Sequence, residues 1–232
     1  MEKLNQTTIL KGYTPEEQLQ SIGEDIKDFS PINYCPNTMI SKDQKKLVVI
    51  ELNYDSEWEE NKKIEKVILL NSVTMIGRNT FRDFTSLQKV VIPNSVKDIY
   101  EAAFEGCTSL QKVVIPNSVK QIDSSTFKGC TSLEQIVIPD SVIEIGSNAF
   151  SGCASLQEVV IPNSVKKIGW SAFSGCTSLE EIVIPDSVTE IGRDAFNGCT
   201  SLEEIVIPES VTKIGYCAFQ YYITIVYIQE ET

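Results

Sequence analysis

The sequence contains no histidine among its 232 residues. This absence removes the commonest general base, the Ser–His and Cys–His nucleophilic pairs, and the imidazole ligands of most catalytic zinc sites. Positive charge is also scarce, because 20 Lys and Arg stand against 32 Asp and Glu and leave a net charge of −12. That balance argues against a general affinity for nucleic acid or anionic membranes. Composition therefore predicts no nucleic-acid partner and excludes most enzyme classes.

Long apolar runs are absent as well. No stretch approaches the roughly eighteen apolar residues that a membrane-spanning helix needs. The first ten residues, MEKLNQTTIL, lack the apolar segment of a secretory signal. We therefore expect no membrane insertion and no signal peptide, which leaves the compartment open but favours the cytoplasm.

The strongest positive signal is internal repetition. Leucine, phenylalanine and proline each recur every 23 residues, over Leu87 to Leu202, Phe81 to Phe219 and Pro93 to Pro208. A fixed period of about 20–29 residues with an aliphatic framework is the signature of leucine-rich repeats. One unit cannot bury its own apolar face, so seven stacked units are needed to build a continuous core.

One unit, residues 180–202, reads EEIVIPDSVTEIGRDAFNGCTSL. Its β-branched segment IVI predicts a short strand that ends at Pro185, which has no N–H to donate. A turn follows at Asp186 and Ser187, and the later apolar residues recur at spacings of three to four. We therefore predict an α/β repeat with one parallel sheet face and short helical or 3-10 turns opposite.

The pattern IVIPxSVxxIGxxAFxGCxSL resembles the BspA-like leucine-rich repeat over residues 64–219. The resemblance implies a right-handed solenoid. It also implies adhesion or host-protein binding for some members, and therefore allows a cell-surface or secreted location. The first unit departs from the pattern, with Arg82-Asp83-Phe84 in place of the Gly-Cys step, and the last has Tyr221-Tyr222 there.

The two ends are predicted to cap the solenoid, and residues 1–63 form the first cap. Thr14, Pro15 and Glu17 have the spacing of a helix start and predict an amphipathic helix over 15–28. This helix is a cap or, alternatively, a partner-binding element. A hairpin over about 38–52 and a loop over 53–63 precede seven units over 64–219, and residues 220–232 form a closing strand and tail.

Five of the seven cysteines hold the same place in successive units: Cys107, Cys130, Cys153, Cys176 and Cys199. Metal sites usually contain close Cys-x-x-Cys pairs, and stacked side chains run parallel rather than toward each other. We therefore predict a ladder of buried reduced thiols. Cys35 and Cys217 lie outside it, and a bond between them is not expected because the two ends would have to meet. Free thiols favour a reducing compartment.

Outward positions of the sheet carry the candidate binding residues. Alternation along each strand predicts an exposed aliphatic row of Ile68, Val91, Val114, Val137, Val160, Val183 and Val206. The flanking row changes sign along the solenoid: Lys66, Lys89, Lys112, Gln135, Glu158, Glu181 and Glu204. The row before it adds Glu134, Glu180 and Glu203. The alternative is that β-branched residues reflect strand propensity and that the charges are simply solvated.

We therefore predict a non-enzymatic protein-binding module without cofactor or metal, or alternatively a structural or self-associating scaffold. Calcium binding by the glutamates is disfavoured, because parallel carboxylates on a flat sheet do not surround a point. The recurring serines are predicted to form turns. The residues assigned to protein binding are Lys89, Val91, Lys112, Val114, Val137, Glu158, Val160, Glu181, Val183 and Glu204.

Overall fold

The computed structural model describes residues 19–20, 28–32, 35–41, 46–49, 63–220 and 223–227. In chain order the strands are β1 (Phe29–Ile32), β2 (Cys35–Ser41), β3 (Lys46–Val49), β4 (Lys66–Leu69), β5 (Met75–Ile76), β6 (Lys89–Val91), β7 (Asp98–Ile99), β8 (Lys112–Val114), β9 (Gln121–Ile122), β10 (Gln135–Val137), β11 (Glu144–Ile145), β12 (Glu158–Val160), β13 (Lys167–Ile168), β14 (Glu181–Val183), β15 (Glu190–Ile191), β16 (Glu204–Ile207), β17 (Lys213–Ile214) and β18 (Thr224–Tyr227).

The repeat forms a parallel solenoid in which each 23-residue coil contributes one strand to each of two walls. The first wall runs through β4, β6, β8 and β10 as a hydrogen-bonded ladder, and β12–β14 and β16–β18 continue it. The second wall contains the two-residue strands, paired in the order β9, β11, β13, β15 and β17, with β5–β7 beyond them. The predicted parallel sheet is confirmed, and a second, narrower sheet accompanies it.

The helical or 3-10 turns that were predicted opposite the first sheet are not present over residues 63–220. In each coil from Asn79 to Gly198, two residues have left-handed backbone geometry, for example Ala102 (φ 56°) and Gly106 (φ 73°), and a right-handed helix cannot pass through them. The segment instead forms single turns. Some amides of this segment donate within their own coil, and others donate to the next coil. Cys107 N donates to Phe104 O of the same coil (3.2 Å), and Phe104 N donates to Thr126 O of the next coil (2.9 Å).

The core lies between the two walls and contains a column of stacked rings. Seven phenylalanines, one per coil from Phe81 to Phe219, have neighbouring centroids 5.2–5.6 Å apart and planes within 20°. The column is parallel because every ring occupies the same position of an identical coil. Leucines, isoleucines and valines of both walls bury their side chains around it.

The cysteine ladder is confirmed as a column of buried free thiols. Each Sγ donates to the carbonyl oxygen of a phenylalanine in the preceding coil, at 3.1–3.2 Å. Cys217 is free and partly buried. The side chain of Cys35 lies outside the described residues.

The N-terminal strands extend the first wall. β2 pairs antiparallel with β3, with Met39 opposite Val48, and β3 pairs parallel with β4. Of the predicted helix over 15–28, Leu19 and Gln20 are helical, and residues 15–18 and 21–27 lie outside the described part of the chain. Residues 42–45, 53–62 and 228–232 lie outside it too, so the boundaries of the two caps stay predictions. At the other end β18 pairs parallel with β16.

Candidate functional site

The ten predicted binding residues lie on one surface, which we call the sheet face and which comprises the first and third residues of β4, β6, β8, β10, β12, β14 and β16. The middle residue of each strand points into the core, as Val113, Val159 and Ile182 show by being at most 5% exposed. The face follows directly from the period-two alternation of strand side chains. The sheet brings all ten residues into two parallel rows.

The aliphatic row is most exposed from β10 to β14, where Val137, Val160 and Val183 are 51%, 67% and 62% accessible. The prediction that the row is exposed along its whole length is wrong at Ile68, which is 1% exposed. Ile68 lies on β4 beside the non-repeat strand β3, where its partner in the register is Val48. It therefore has neighbours that no later coil provides. Val91, Val114 and Val206 are half-buried.

The charged row lies beside the aliphatic row and changes sign at its middle. Register pairs place Lys66 beside Lys89, Lys89 beside Lys112, Lys112 beside Gln135, and Glu158 beside Glu181. Neighbouring parallel strands are about 4.8 Å apart, so like charges follow one another at that spacing within each half. Such neighbours destabilise the sheet slightly.

No ion pair compensates the charges of the sheet face at five of these positions. Within the described ranges, none of Lys89, Lys112, Glu158, Glu181 and Glu204 has an oppositely charged side chain within salt-bridge distance. The absence is informative because the same chain compensates charge elsewhere.

On the second wall, Lys167 lies between Glu144 and Glu190 with its Nζ 3.9 Å from a carboxylate oxygen of each. The turn region of the first coils has similar pairs, such as Lys128 with Glu105 at 3.1 Å. On the second wall the first residues of β11, β13, β15 and β17 alternate in sign (Glu144, Lys167, Glu190 and Lys213), whereas charges of like sign are grouped together on the sheet face.

Further carboxylates border the acidic half of the sheet face. Glu134, Glu180 and Glu203 are exposed and have no cationic partner among the described residues. Each lies one residue before the strand, so these groups line up rather than converge. Over the described chain, no group of three or more acidic or cysteine side chains is arranged to hold a metal ion.

The ladder thiols are not suited to nucleophilic chemistry. Burial, and next the nearby Cys176 thiol, raise the pKa of the Cys153 thiol well above its ordinary value. Burial raises the pKa of the Cys199 thiol to about 12. The thiolate is the reactive form, so these side chains serve packing and hydrogen bonding.

The recurring serines have a role that the sequence did not reveal. The hydroxyl of Ser141 donates to the carbonyl oxygen of Val119 in the preceding coil at 2.6 Å, and Ser95, Ser164 and Ser187 make the same bond. They were predicted to form turns, and they also tie consecutive coils together. A second missed feature is a pair of exposed aromatic residues on the turns, Trp170 and Tyr216, at 64% and 76% accessibility.

A third missed feature is a polar cavity of about 390 Å³ in the turn region of the first coils, lined by side chains such as Arg78, Arg82, Glu101, Glu105 and Lys128. Its acidic and basic groups pair with each other, Arg78 with Glu101 and Arg82 with Glu105, each at 3.4 Å. The cavity therefore has little net charge to offer a ligand. Over the described ranges, no helix is both long enough and apolar enough to cross a membrane.

The comparison with protein families decides the affiliation of the chain. A family model described as BspA type leucine rich repeat region matches residues 54–179 and 120–230, with six copies. The chain belongs to the BspA-type leucine-rich-repeat family. No curated protein matches it.

Solved structures of other leucine-rich-repeat proteins resemble this BspA-type chain. A leucine-rich repeat protein from T. pallidum is 31% identical, with a TM-score of 0.63 over 82% of this chain and 84% of the other. A leucine-rich repeat protein from Bacteroides ovatus is 23% identical, with a TM-score of 0.57 over 86% of this chain and 65% of the other. The second likeness concerns the fold alone. A BspA-type repeat is consistent with a protein-interaction module.

Proposed function

We propose that this chain is a protein-binding module and that the sheet face is its binding surface. The observation that carries the proposal is the exposed row of Val137, Val160 and Val183 beside carboxylates that have no cationic partner among the described residues. Contiguous exposed apolar surface often marks an interaction site. The family resemblance adds adhesion or host-protein recognition as the biological setting of the proposal.

The sheet face carries apolar side chains and grouped like charges that folding alone does not require. Threonine or lysine at the valine positions would keep the strand and improve solvation, since β-propensity does not require an apolar side chain on the solvent side. Charges of alternating sign, as on the second wall, would remove the repulsion between Glu158 and Glu181. A partner that covers the valines and supplies opposite charge explains both features together.

The arrangement favours binding over catalysis. The described carboxylates of the sheet face lie in line on an open surface, whereas a general acid requires a carboxyl group whose environment raises its pKa. The scaffold instead offers a rigid, extended surface on which apolar contacts provide affinity and flanking charges provide orientation.

The test compares three forms of the chain that circular dichroism shows to be folded. They are the wild type, a face variant with Val160→Lys and Val183→Lys, and a control with Ile143→Lys on the second wall. Ile143 is 54% exposed, so the control adds a lysine at a comparable apolar position. Each form is immobilised and assayed for bound protein, either another protein from a lysate or a second copy of this chain.

Protein bound by the wild type and the control but lost from the face variant would support the proposal. Equal binding by all three forms would remove the sheet face from consideration and direct attention to the turns around Trp170 and Tyr216.

A further inference from the structure

The charged row of the sheet face is antisymmetric about its centre. From Lys66 to Glu204 it carries three positive residues, the neutral Gln135, and then three negative residues. Gln135 begins β10, with β4, β6 and β8 on one side and β12, β14 and β16 on the other. Reversing the direction of the row therefore exchanges every positive charge with a negative one.

A two-fold axis performs that reversal when two sheet faces meet. If the axis lies between the faces, parallel to β10 and above Gln135, each row faces itself in the opposite direction. Lys112 then faces Glu158 of the second copy, and Lys89 faces Glu181 of the second copy. Each contact occurs twice by symmetry, as in any isologous interface. The aliphatic row faces its own copy in the same arrangement.

We propose that the sheet face binds a second copy of this chain, with the two solenoids antiparallel and the axis above Gln135. This inference rests on the proposed function, because it names the partner of the same surface. It is supported by charge complementarity along the row and by the lack of any ion pair at Lys89, Lys112, Glu158 and Glu181 over the described part of the single chain.

The other arrangement of two sheet faces is electrostatically unfavourable. With the two solenoids parallel, Lys89 would face Lys89 and Glu181 would face Glu181. Like charges placed opposite each other at an interface suppress that association. The charges of the row therefore favour the antiparallel arrangement.

The association is expected to be weak. Sheets twist, so the charge pairs nearest the axis align best, and Lys112–Glu158 contributes more than the outer pairs. A face of seven short strands is narrow, and interfaces below roughly 1,200 Å² of total buried area are usually transient. Salt with a Debye length of about 10 Å screens the exposed charges and weakens their attraction further. We therefore expect a reversible dimer that dissociates as the salt concentration rises.

The row one residue before the charged row opposes the dimer, because its reversal places Glu65 opposite Glu203 of the second copy and Glu134 opposite itself. Glu134 lies next to Gln135 at the axis and would approach Glu134 of the second copy. The Glu134→Gln variant removes that repulsion without altering the antisymmetric row. It is expected to dimerise more tightly than the wild type.

The decisive experiment uses two charge variants of the full chain. In the acidic variant, Lys89→Glu and Lys112→Glu make the row negative on both sides of Gln135. In the basic variant, Glu158→Lys and Glu181→Lys make it positive there. Lys97→Glu with Lys120→Glu, at exposed positions outside the sheet face, is the control with the same charge change as the acidic variant.

Sedimentation equilibrium is measured at chain concentrations up to roughly a millimolar, in the range where weak dimers form. The wild type and the control are expected to dimerise. Each charge variant alone is expected to have a dimer dissociation constant at least roughly tenfold higher. An equimolar mixture of the acidic and basic variants restores dimerisation, because every altered position then faces an opposite charge.

Three results would overturn the inference: a wild type that stays monomeric, charge variants that associate as well as the wild type, or a mixture that does not associate. A monomeric wild type that still loses another bound protein through Val160→Lys and Val183→Lys would reject the second copy and leave the proposed function intact. Monomers without any face-dependent binding would reject both.

Discussion

The thiol of Cys199 donates a hydrogen bond of 3.2 Å to the main-chain oxygen of Phe173, which lies in the preceding coil. This contact recurs along the cysteine ladder and gives a small, buried side chain two tasks. The sulfur fills space in the core, and the S–H adds a second donor to a carbonyl oxygen that also accepts from Cys176 N at 3.2 Å. The neutral thiol is required for the second task.

The first prediction concerns alkaline pH. Burial raises the pKa of the Cys199 thiol to about 12, from an ordinary value of 9.0. The folded chain therefore holds a proton that the unfolded chain releases. The resulting stabilisation is fully present below the unfolded pKa and is lost as pH rises toward the folded value, by about 1.4 kcal/mol per pH unit for one thiol.

Urea unfolding of the wild type and of Cys199→Ala at pH 7, 9 and 10 checks this expectation. The variant is less stable at pH 7, and its stability falls less steeply with pH, because one titrating thiol is gone. The difference between the two proteins isolates Cys199, because they differ at that residue alone. Identical slopes for the two proteins would contradict the assigned pKa.

The second prediction concerns the ring column. Phe150 lies between Phe127 and Phe173, with centroids 5.6 and 5.2 Å away, whereas Phe219 has one stacking partner among the described residues, Phe196, and is only partly buried. Phe150→Ala is expected to lower the free energy of unfolding by about 3–5 kcal/mol. Phe219→Ala should cost clearly less. Equal losses in urea denaturation would show that the column is not the main source of packing energy.

Much of this fold could be predicted because the sequence repeats. A position that returns every 23 residues with the same apolar side chain must occupy the same place in each coil. Phe104, Leu110 and Cys107 therefore predict a core without any further information. The sign change between Lys112 and Glu158 could be seen in the same way, since strand alternation assigns both residues to one face.

The sequence did not predict the turn region correctly, for a physical reason. Apolar spacings of three to four suggested helix, but Ala102 and its equivalents Ser125, Asn148 and Ser171 have positive φ values of 52–57°. Alanine and serine do not usually occupy that region, so these coils hide the break, which is marked only by Asn or Asp at this position in other coils and by the glycine four residues later. Hydrogen bonds to the next coil hold these residues there. The burial of Ile68 was missed because it depends on strands outside the repeat.

The third prediction concerns close contact between coils at glycine. A Cβ atom at Gly169 would lie 2.6 Å from the backbone of Gly146 and Ser147, so the two coils would have to separate. At Gly152 (φ 75°), a Cβ would meet its nearest atom only at 3.7 Å, and the cost is conformational, about 1–2 kcal/mol. Gly169→Ala is therefore expected to destabilise the chain more than Gly152→Ala. Thermal unfolding of both variants gives the comparison, and the reverse order would argue against the close approach of the coils at that edge.

The last prediction uses two serines at the same position of different coils. Ser164 Oγ donates to Val142 O at 2.6 Å, whereas the buried Ser210 Oγ has no hydrogen-bond partner within the described chain. Ser164→Ala leaves a carbonyl group without its donor and should lower the free energy of unfolding by about 1 kcal/mol. Ser210→Ala removes a buried hydroxyl that gains nothing in the fold, so it should be neutral or slightly stabilising. Urea denaturation of the two variants tests the difference directly. Equal destabilisation would mean that the serines act through turn geometry rather than through the bond between coils, because only the turn is common to both positions.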